Sequence, residues 1–510
     1  MDFNSFDYLI LALFLCLILY LAVSNLFKKQ SFDNYFRLDK NIHWIAIAFS
    51  IIAADITFNY VMSSASVGFE KGIAIGSYEW TACIAMIIMA VYILPKFMSL
   101  RIVTINHYLE LRFDHRIRLI VSIIILAVHL FDGMPSLFLS ATLMIQELFG
   151  LPSDYTKYLI WAVGIFTGLI VISGGMSSMV RTNLFVVSFL LVAGLLVLYF
   201  CLVNIGGFDK LLSGSDGRME SILPANDPML PWTQVFFGGL WILHIYYWAF
   251  NQVIVQNTIA ADSLSRAQKG ILLAATIKIF IPFIFTIPGI IGYEIFNSEV
   301  ANAEMVFPVV LKNLIPGGLK GIILIAFLGT IIGSVNSFMN ACSMIFTFDI
   351  YQRFLNKNAD DKKLIRVSRI SIGLMIAFSC SIGLLFTRFT NIFMIGQFFD
   401  CAVAPVIASV FLFGLYSKKT SANAALAGLV LALPIYVFMV WYETGLSTLT
   451  LAGINFLVTG SVIGLVTFAN PLKSDIVLKE AASVKYERNL VVSIWFVFIV
   501  TMVAAVYTIF

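Results

Sequence analysis

The stretch GILLAATIKIFIPFIFTIPGIIGY (270–293) is long and apolar enough to cross a bilayer, yet it carries Lys278 near its middle. A helix needs about 20 apolar residues to span the hydrocarbon. A charge at that depth costs at least about 2.5 kcal/mol. Lysines near helix ends snorkel to the interface, and Lys278 is too central for that. Its ammonium must face a protein interior or a water-filled cavity. GIAIGSYEWTACIAMIIMA (72–90) poses the same question through Glu79. Two ionisable groups of opposite sign at membrane depth point to a hydrophilic site halfway across the bilayer, as a transporter requires.

The rest of the chain fits that setting. Its 510 residues are 60% hydrophobic and 12% charged, with mean hydropathy +0.95. Soluble domains carry about 25% charged residues. The fold class is therefore an all-α polytopic membrane protein. Cys16, Cys83, Cys201, Cys342, Cys380 and Cys401 lie in apolar stretches without paired spacing and read as small core residues. The five histidines form no ligand cluster. The first apolar run, 7–26, lacks a basic leader and a small-residue cleavage site, so it reads as a retained span.

Fourteen stretches qualify as spans: 7–26, 43–63, 73–98, 117–148, 157–173, 184–203, 231–256, 267–296, 317–351, 367–387, 390–416, 420–441, 447–469 and 489–510. With the N-terminus outside, the loops on the cytoplasmic side hold 24 Lys/Arg and the opposite side holds seven. Basic residues mark the cytoplasmic face, so both termini are expected outside. The longest outer loop, 204–230, is too short to be a domain. No soluble catalytic or signalling module is expected, and the basic loops follow from orientation rather than nucleic-acid binding.

Two spans carry a polar break at their centre. Asp55, Thr57 and Asn59 interrupt the second, and His244, Asn251 and Gln252 interrupt the seventh. Five spans apart, they run in opposite directions, as the first helices of an inverted repeat do when they line a central site. Unwound backbone survives there where water, solute or ion satisfies it. The same small polar residues also serve as glue between helices. In the ninth span, Gly329, Gly333, Ser337 and Asn340 recur at helical spacing beside Thr330 and Ser334. That face offers close packing, or hydroxyl oxygens for a hard cation.

SYEW (77–80), LHIYYWAFNQVIVQNTIAADSLSRAQKGI (243–271), IKIFIPF (277–283) and IFTFDIYQRF (345–354) resemble the sodium/solute symporter family. They come closest to its SGLT-like sodium/sugar branch, to which bacterial sodium/galactose symport belongs. The resemblance runs over nearly the whole chain and implies a LeuT-like core of two inverted five-helix repeats. These would be 43–203 and 231–416, within a single transporter domain 1–510 that adds a helix and loop at 1–42 and further helices at 417–510. It implies sugar contacts from Glu79, Asn251, Lys278 and Gln397, with Phe393 and Tyr78 covering the apolar faces of the ring. The chemistry agrees, because a carboxylate, an ammonium and two amides together satisfy donor-and-acceptor hydroxyls. Read on their own, Glu79 and Lys278 also fit a buried ion bridge between spans, and Asn251 and Gln397 fit interhelical hydrogen bonds.

For sodium, the resemblance implies backbone oxygens of Ala53 and Ile56 and hydroxyls of the ninth span. The family's paired serines appear here as Gly333 and Ser334, and Thr330 adds a hydroxyl a turn earlier. The family's aspartate on its fifth core helix appears as Asn183, and its asparagine on the first broken helix as Asp55. Asp55 therefore either strengthens a sodium site or carries a proton. Tyr60 replaces a sugar-contacting glutamine, Ala82 a serine, and Val253 a gating tyrosine. Those changes argue against galactose itself and leave the hydroxylated-solute class. Asp132, in FDGMPSLF, contacts the solute or lines its cavity.

The expected protein is a sodium-driven sugar symporter of the cell inner membrane, not an enzyme. Its partners are a small sugar, sodium and the bilayer, with no cofactor, nucleic acid or protein partner implied. The rivals are proton-coupled or uncoupled transport of an inositol or sialic acid, and a transporter-derived sensor, which would need a signalling domain.

Overall fold

The computed structural model describes residues 4–26, 32–36, 42–100, 102–259, 261–300, 302–387, 392–442, 445–474, 476, 478 and 490–510. Much of the basic loops 27–42 and 473–488, together with Arg101 and Arg388, lies outside the described residues. Among the described residues the chain is helical with no strand. In hydrocarbon, every backbone polar group must be satisfied within its own segment, and helices do that. Eleven of these helices are long and apolar enough to cross a membrane, and Ser5–Cys16 and Trp44–Asp55 are shorter apolar ones.

The elements that matter here are α1 (Ser5–Leu26), α2 (Trp44–Asp55), α3 (Phe58–Lys71), α4 (Ser77–Ile88), α5 (His115–Val128), α6 (Met134–Phe149), α7 (Met176–Ile205), α8 (Gly239–Ile245), α9 (Gln252–Ile259), α10 (Leu264–Phe296), α11 (Lys320–Met344), α12 (Ile392–Tyr416) and α13 (Leu490–Ile509). Helix α10 is the hub and packs on α2, α3, α4, α7 and α13. Its approach to α3 depends on glycine. A Cβ on Gly289 would stand 2.0 Å from Ala65 O, and one on Gly68 would stand 2.6 Å from Thr286 O. Ser64 and Thr286 join hydroxyls across this crossing at 2.7 Å. Gly333 in α11 likewise admits Asn183 and Val186 of α7, so this glycine of the ninth span serves close packing.

Both expected breaks are present. Thr57 sits in extended backbone between α2 and α3, and its hydroxyl caps α3 by accepting from Tyr60 N–H at 3.1 Å. Asn251 is extended between a wide π-type turn (Tyr246–Phe250) and α9, and its side-chain oxygen accepts from Val253 N–H at 2.9 Å. Similar π turns interrupt the helices at Met89–Ile93, His129–Gly133 and Ile345–Leu355. Such turns often mark functional positions.

A polar knot ties the connector Ile105–Arg112 to the π turn after α11. Buried Asp349 accepts from Thr104 Oγ1 at 2.6 Å, Arg118 Nη2 at 2.5 Å and Asn106 Nδ2 at 3.2 Å. Glu110 then bridges Arg118 and Arg353, each at 2.6 Å. The second break joins this knot, because Gln252 Oε1 accepts from Ile105 N–H at 2.8 Å.

Candidate solute site between two broken helices

A cavity of about 270 Å³ lies between the breaks. Its wall contains Tyr60, Tyr78, Glu79, Asn251, Lys278, Phe393 and Gln397, every residue expected to touch the solute. Small-molecule pockets run from about 300 Å³ upward, so this one suits a single small ring rather than an oligomer.

Lys278 is 1% exposed. Its ammonium is paired with the carboxylates of both Glu79 and Asp55, and it stands 4.8 Å from the Trp248 ring centroid. Pairing on this scale is what makes a buried charge tolerable. Asp55 meets Lys278 through Oδ2, so the carboxylate expected at the ion or proton site also borders the solute cavity. The ammonium of α10 is an opposite charge within reach, and burial magnifies that attraction.

The amides are partly committed. Gln397 donates through Nε2 to Tyr78 OH at 2.6 Å, and its Oε1 is buried without a hydrogen-bond partner among the described residues. Asn251 spends its oxygen on the α9 cap, which leaves its NH₂ as the donor toward the cavity. Both interhelical bonding and solute contact are therefore open to them. Tyr78 and Phe393 meet edge to face, 6.0 Å between centroids. His244 bonds Thr81 Oγ1 at 2.8 Å, while that hydroxyl donates to Ser77 O at 2.5 Å. Thr81 has one proton to give, so His244 Nε2 is the donor in that pair.

The four atoms expected to hold sodium behave in a consistent way. Thr57 N–H bonds Asp55 O at 2.9 Å, so Ala53 O loses the donor that a continuing helix would supply. Tyr60 N–H is taken by Thr57 Oγ1, so Ile56 O loses its donor as well. The Ser334 hydroxyl is buried with no hydrogen-bond partner among the described residues. Thr330 Oγ1 donates to Ala326 O at 2.9 Å and keeps lone pairs for a cation. Helix α11 packs on α2, which brings the hydroxyl-bearing helix to the break. Two released carbonyls and an orphaned hydroxyl suit a hard monovalent cation, which prefers oxygen. Asn183, in the aspartate's place, donates to Ser50 Oγ at 3.1 Å and Ser337 Oγ at 3.4 Å.

Sequence reasoning missed Asp400. It lines the cavity one turn beyond Gln397 on α12, and its signal was an acid inside the apolar run 392–416. Asp132 also lines the cavity.

A model of the sodium:solute symporter family matches residues 35–432. The chain belongs to that family. Its members are transporters, not enzymes. The chain is 31% identical over 473 residues to a sodium/glucose cotransporter of Vibrio parahaemolyticus, covering 88% of this chain and 86% of that one. It is 26% identical over 450 residues to sodium/glucose cotransporter 1 of Sus scrofa, covering 79% and 67%. A Na⁺-coupled sialic acid symporter, solved substrate-bound and outward-open, superposes with TM-score 0.80 at 19% identity, over 93% of this chain and 100% of that one. At that identity the superposition establishes the fold alone.

Proposed function

We propose that this family member is a sodium-coupled sugar symporter working by alternating access. The observation that carries the reading is the convergence of Glu79, Lys278, Asn251 and Gln397 on one cavity between the two breaks. Glu79 accepts hydroxyl protons, Lys278 and Asn251 donate, Gln397 Oε1 accepts, and Tyr78, Phe393 and Tyr60 bound the ring. Sodium binds Ala53 O, Ile56 O, Thr330 Oγ1 and Ser334 Oγ. The first break links the two sites, since Ala53 and Ile56 flank Asp55, which holds Lys278. An ion that orders the break therefore also orders the solute site, and the coupling free energy is reciprocal. Sodium is favoured over a proton because Asp55 is already engaged by Lys278. The sugar relatives support a hydroxylated solute, and a cavity with Lys278 as its cation argues against an acid such as sialic acid.

The same reading takes the chain as a single transporter domain of fourteen spans. Residues 43–203 and 231–416 are inverted repeats, both termini lie outside, and the protein resides in the cell inner membrane. Proteoliposome uptake of a labelled sugar panel under separate sodium and pH gradients tests the function. Accumulation under the sodium gradient alone is expected. Accumulation driven only by external acid would overturn it.

A further inference from the structure

Four carboxyls line the cavity, Asp55, Glu79, Asp132 and Asp400, and among the described residues Lys278 is its one lysine or arginine. Asp55 and Glu79 share that ammonium. Asp132 lies on the π turn between α5 and α6, and Asp400 on α12. Gly396, one turn before Asp400, brings α12 against Asp132, since a Cβ there would stand 3.5 Å from Asp132 Oδ2. Asp132 accepts from Ser136 Oγ at 3.1 Å, and no salt bridge reaches either acid among the described residues.

Two further groups on the wall point to a missing ligand. Gln397, 5% exposed, has Oε1 buried without a partner among the described residues, and His129, 4% exposed, has Nε2 buried likewise. Both residues line the same cavity. Buried polar atoms are almost always satisfied, so unpartnered ones beside a cavity mark where a ligand completes them. Ionisable side chains at membrane depth are costly and tend to serve function. The inventory here is rich in acceptors: both acids and the Gln397 oxygen. A donor that is also positively charged satisfies it best. No cluster of three or more acidic, histidine or cysteine side chains suits a multivalent metal among the described residues.

We infer that Asp132 and Asp400 form a second, cation-binding wall of the cavity, which takes either an ammonium carried by the solute or a sodium ion travelling with it. This rests on the cavity being the solute site. The ammonium arm makes the preferred solute an amino sugar.

The test is ligand titration of the purified protein followed by tryptophan fluorescence, with Trp248 on the cavity wall as reporter. Glucose, glucosamine at a pH where its amine is charged, N-acetylglucosamine and sodium are titrated into wild type, Asp400→Asn and Asp132→Asn. The ammonium arm predicts that glucosamine binds at least tenfold more tightly than glucose or N-acetylglucosamine, and that either variant weakens glucosamine binding at least tenfold more than it weakens glucose binding. The sodium arm predicts two sodium phases in wild type and one in the variants. The inference is overturned if wild type shows neither signature, a result that needs no variant, or if the signature survives in both folded variants. Should an Asn variant fail to fold, Asp400→Ser or Asp132→Ser takes its place. Failure of the sugar reading looks different: no neutral sugar binds, while the glucosamine and sodium signals remain readable.

Discussion

Ser334→Ala separates a packing role from an ion-binding one, because the two predict opposite signs. The Ser334 hydroxyl is buried and bonds nothing among the described residues. Burying an unsatisfied hydroxyl costs about 1–3 kcal/mol, so removing it leaves the sodium-free protein as stable as wild type or more so. The sodium-bound protein loses one of four proposed oxygen ligands. A hydrogen bond or ligand to a charged group contributes about 1.5–3 kcal/mol, and each 1.4 kcal/mol is tenfold in affinity. Sodium half-saturation of uptake should therefore rise about 10- to 100-fold. Thermal unfolding of detergent-purified protein in choline should not fall, while the stabilisation added by sodium should shrink. A fall of several degrees in choline with unchanged sodium dependence would refute the reasoning and make Ser334 a packing residue.

Four further outcomes follow from the geometry. Lys278→Met leaves Asp55 and Glu79 buried without their cation, and breaking a buried pair costs about 3–5 kcal/mol, so thermal unfolding should drop sharply; adding Asp55→Asn and Glu79→Gln should restore part of it. Thr57→Ala removes the α3 cap and should cost about 1 kcal/mol by the same assay, with weaker sodium dependence because the released carbonyls are no longer fixed. Gly289→Leu should abolish folded protein on size exclusion, since its Cβ would meet backbone at 2.0 Å. Burial tends to raise the Glu110 carboxyl, but hydrogen bonds from Arg353 and Arg118 outweigh it and hold it below the usual carboxylate range. Its folded pKa is depressed, so its contribution is full above the unfolded value of about 4.3 and is lost as pH falls through the folded one. Glu110→Gln should therefore flatten the acid limb of the stability curve while leaving sugar affinity unchanged.

The site was partly legible because membranes penalise charge so heavily. Lys278 and Glu79 stood out as expensive residues in apolar runs, and both reach the cavity. The first break was legible because Asp55, Thr57 and Asn59 interrupt an apolar run, and in the structure Thr57 caps α3. What stayed hidden depends on distance rather than composition. Nothing in the sequence says that Asp55 leans toward α10, because its partner lies more than two hundred residues away. The π turns had no visible mark, since one extra residue per turn leaves hydropathy unchanged. Asp400 was passed over because the family resemblance on α12 rested on Gln397, and an acid one turn later carried no motif. Asn251 and Gln397 line the cavity, but which of their atoms remain free could not be read from residue type.

The most direct test of the central claim is calorimetric titration of a transported sugar into sodium-loaded protein, comparing wild type with Gln397→Ala and Asn251→Ala. The account predicts at least tenfold weaker sugar binding in each variant with sodium affinity largely retained. Unchanged affinity in both, for every solute the protein transports, would contradict it.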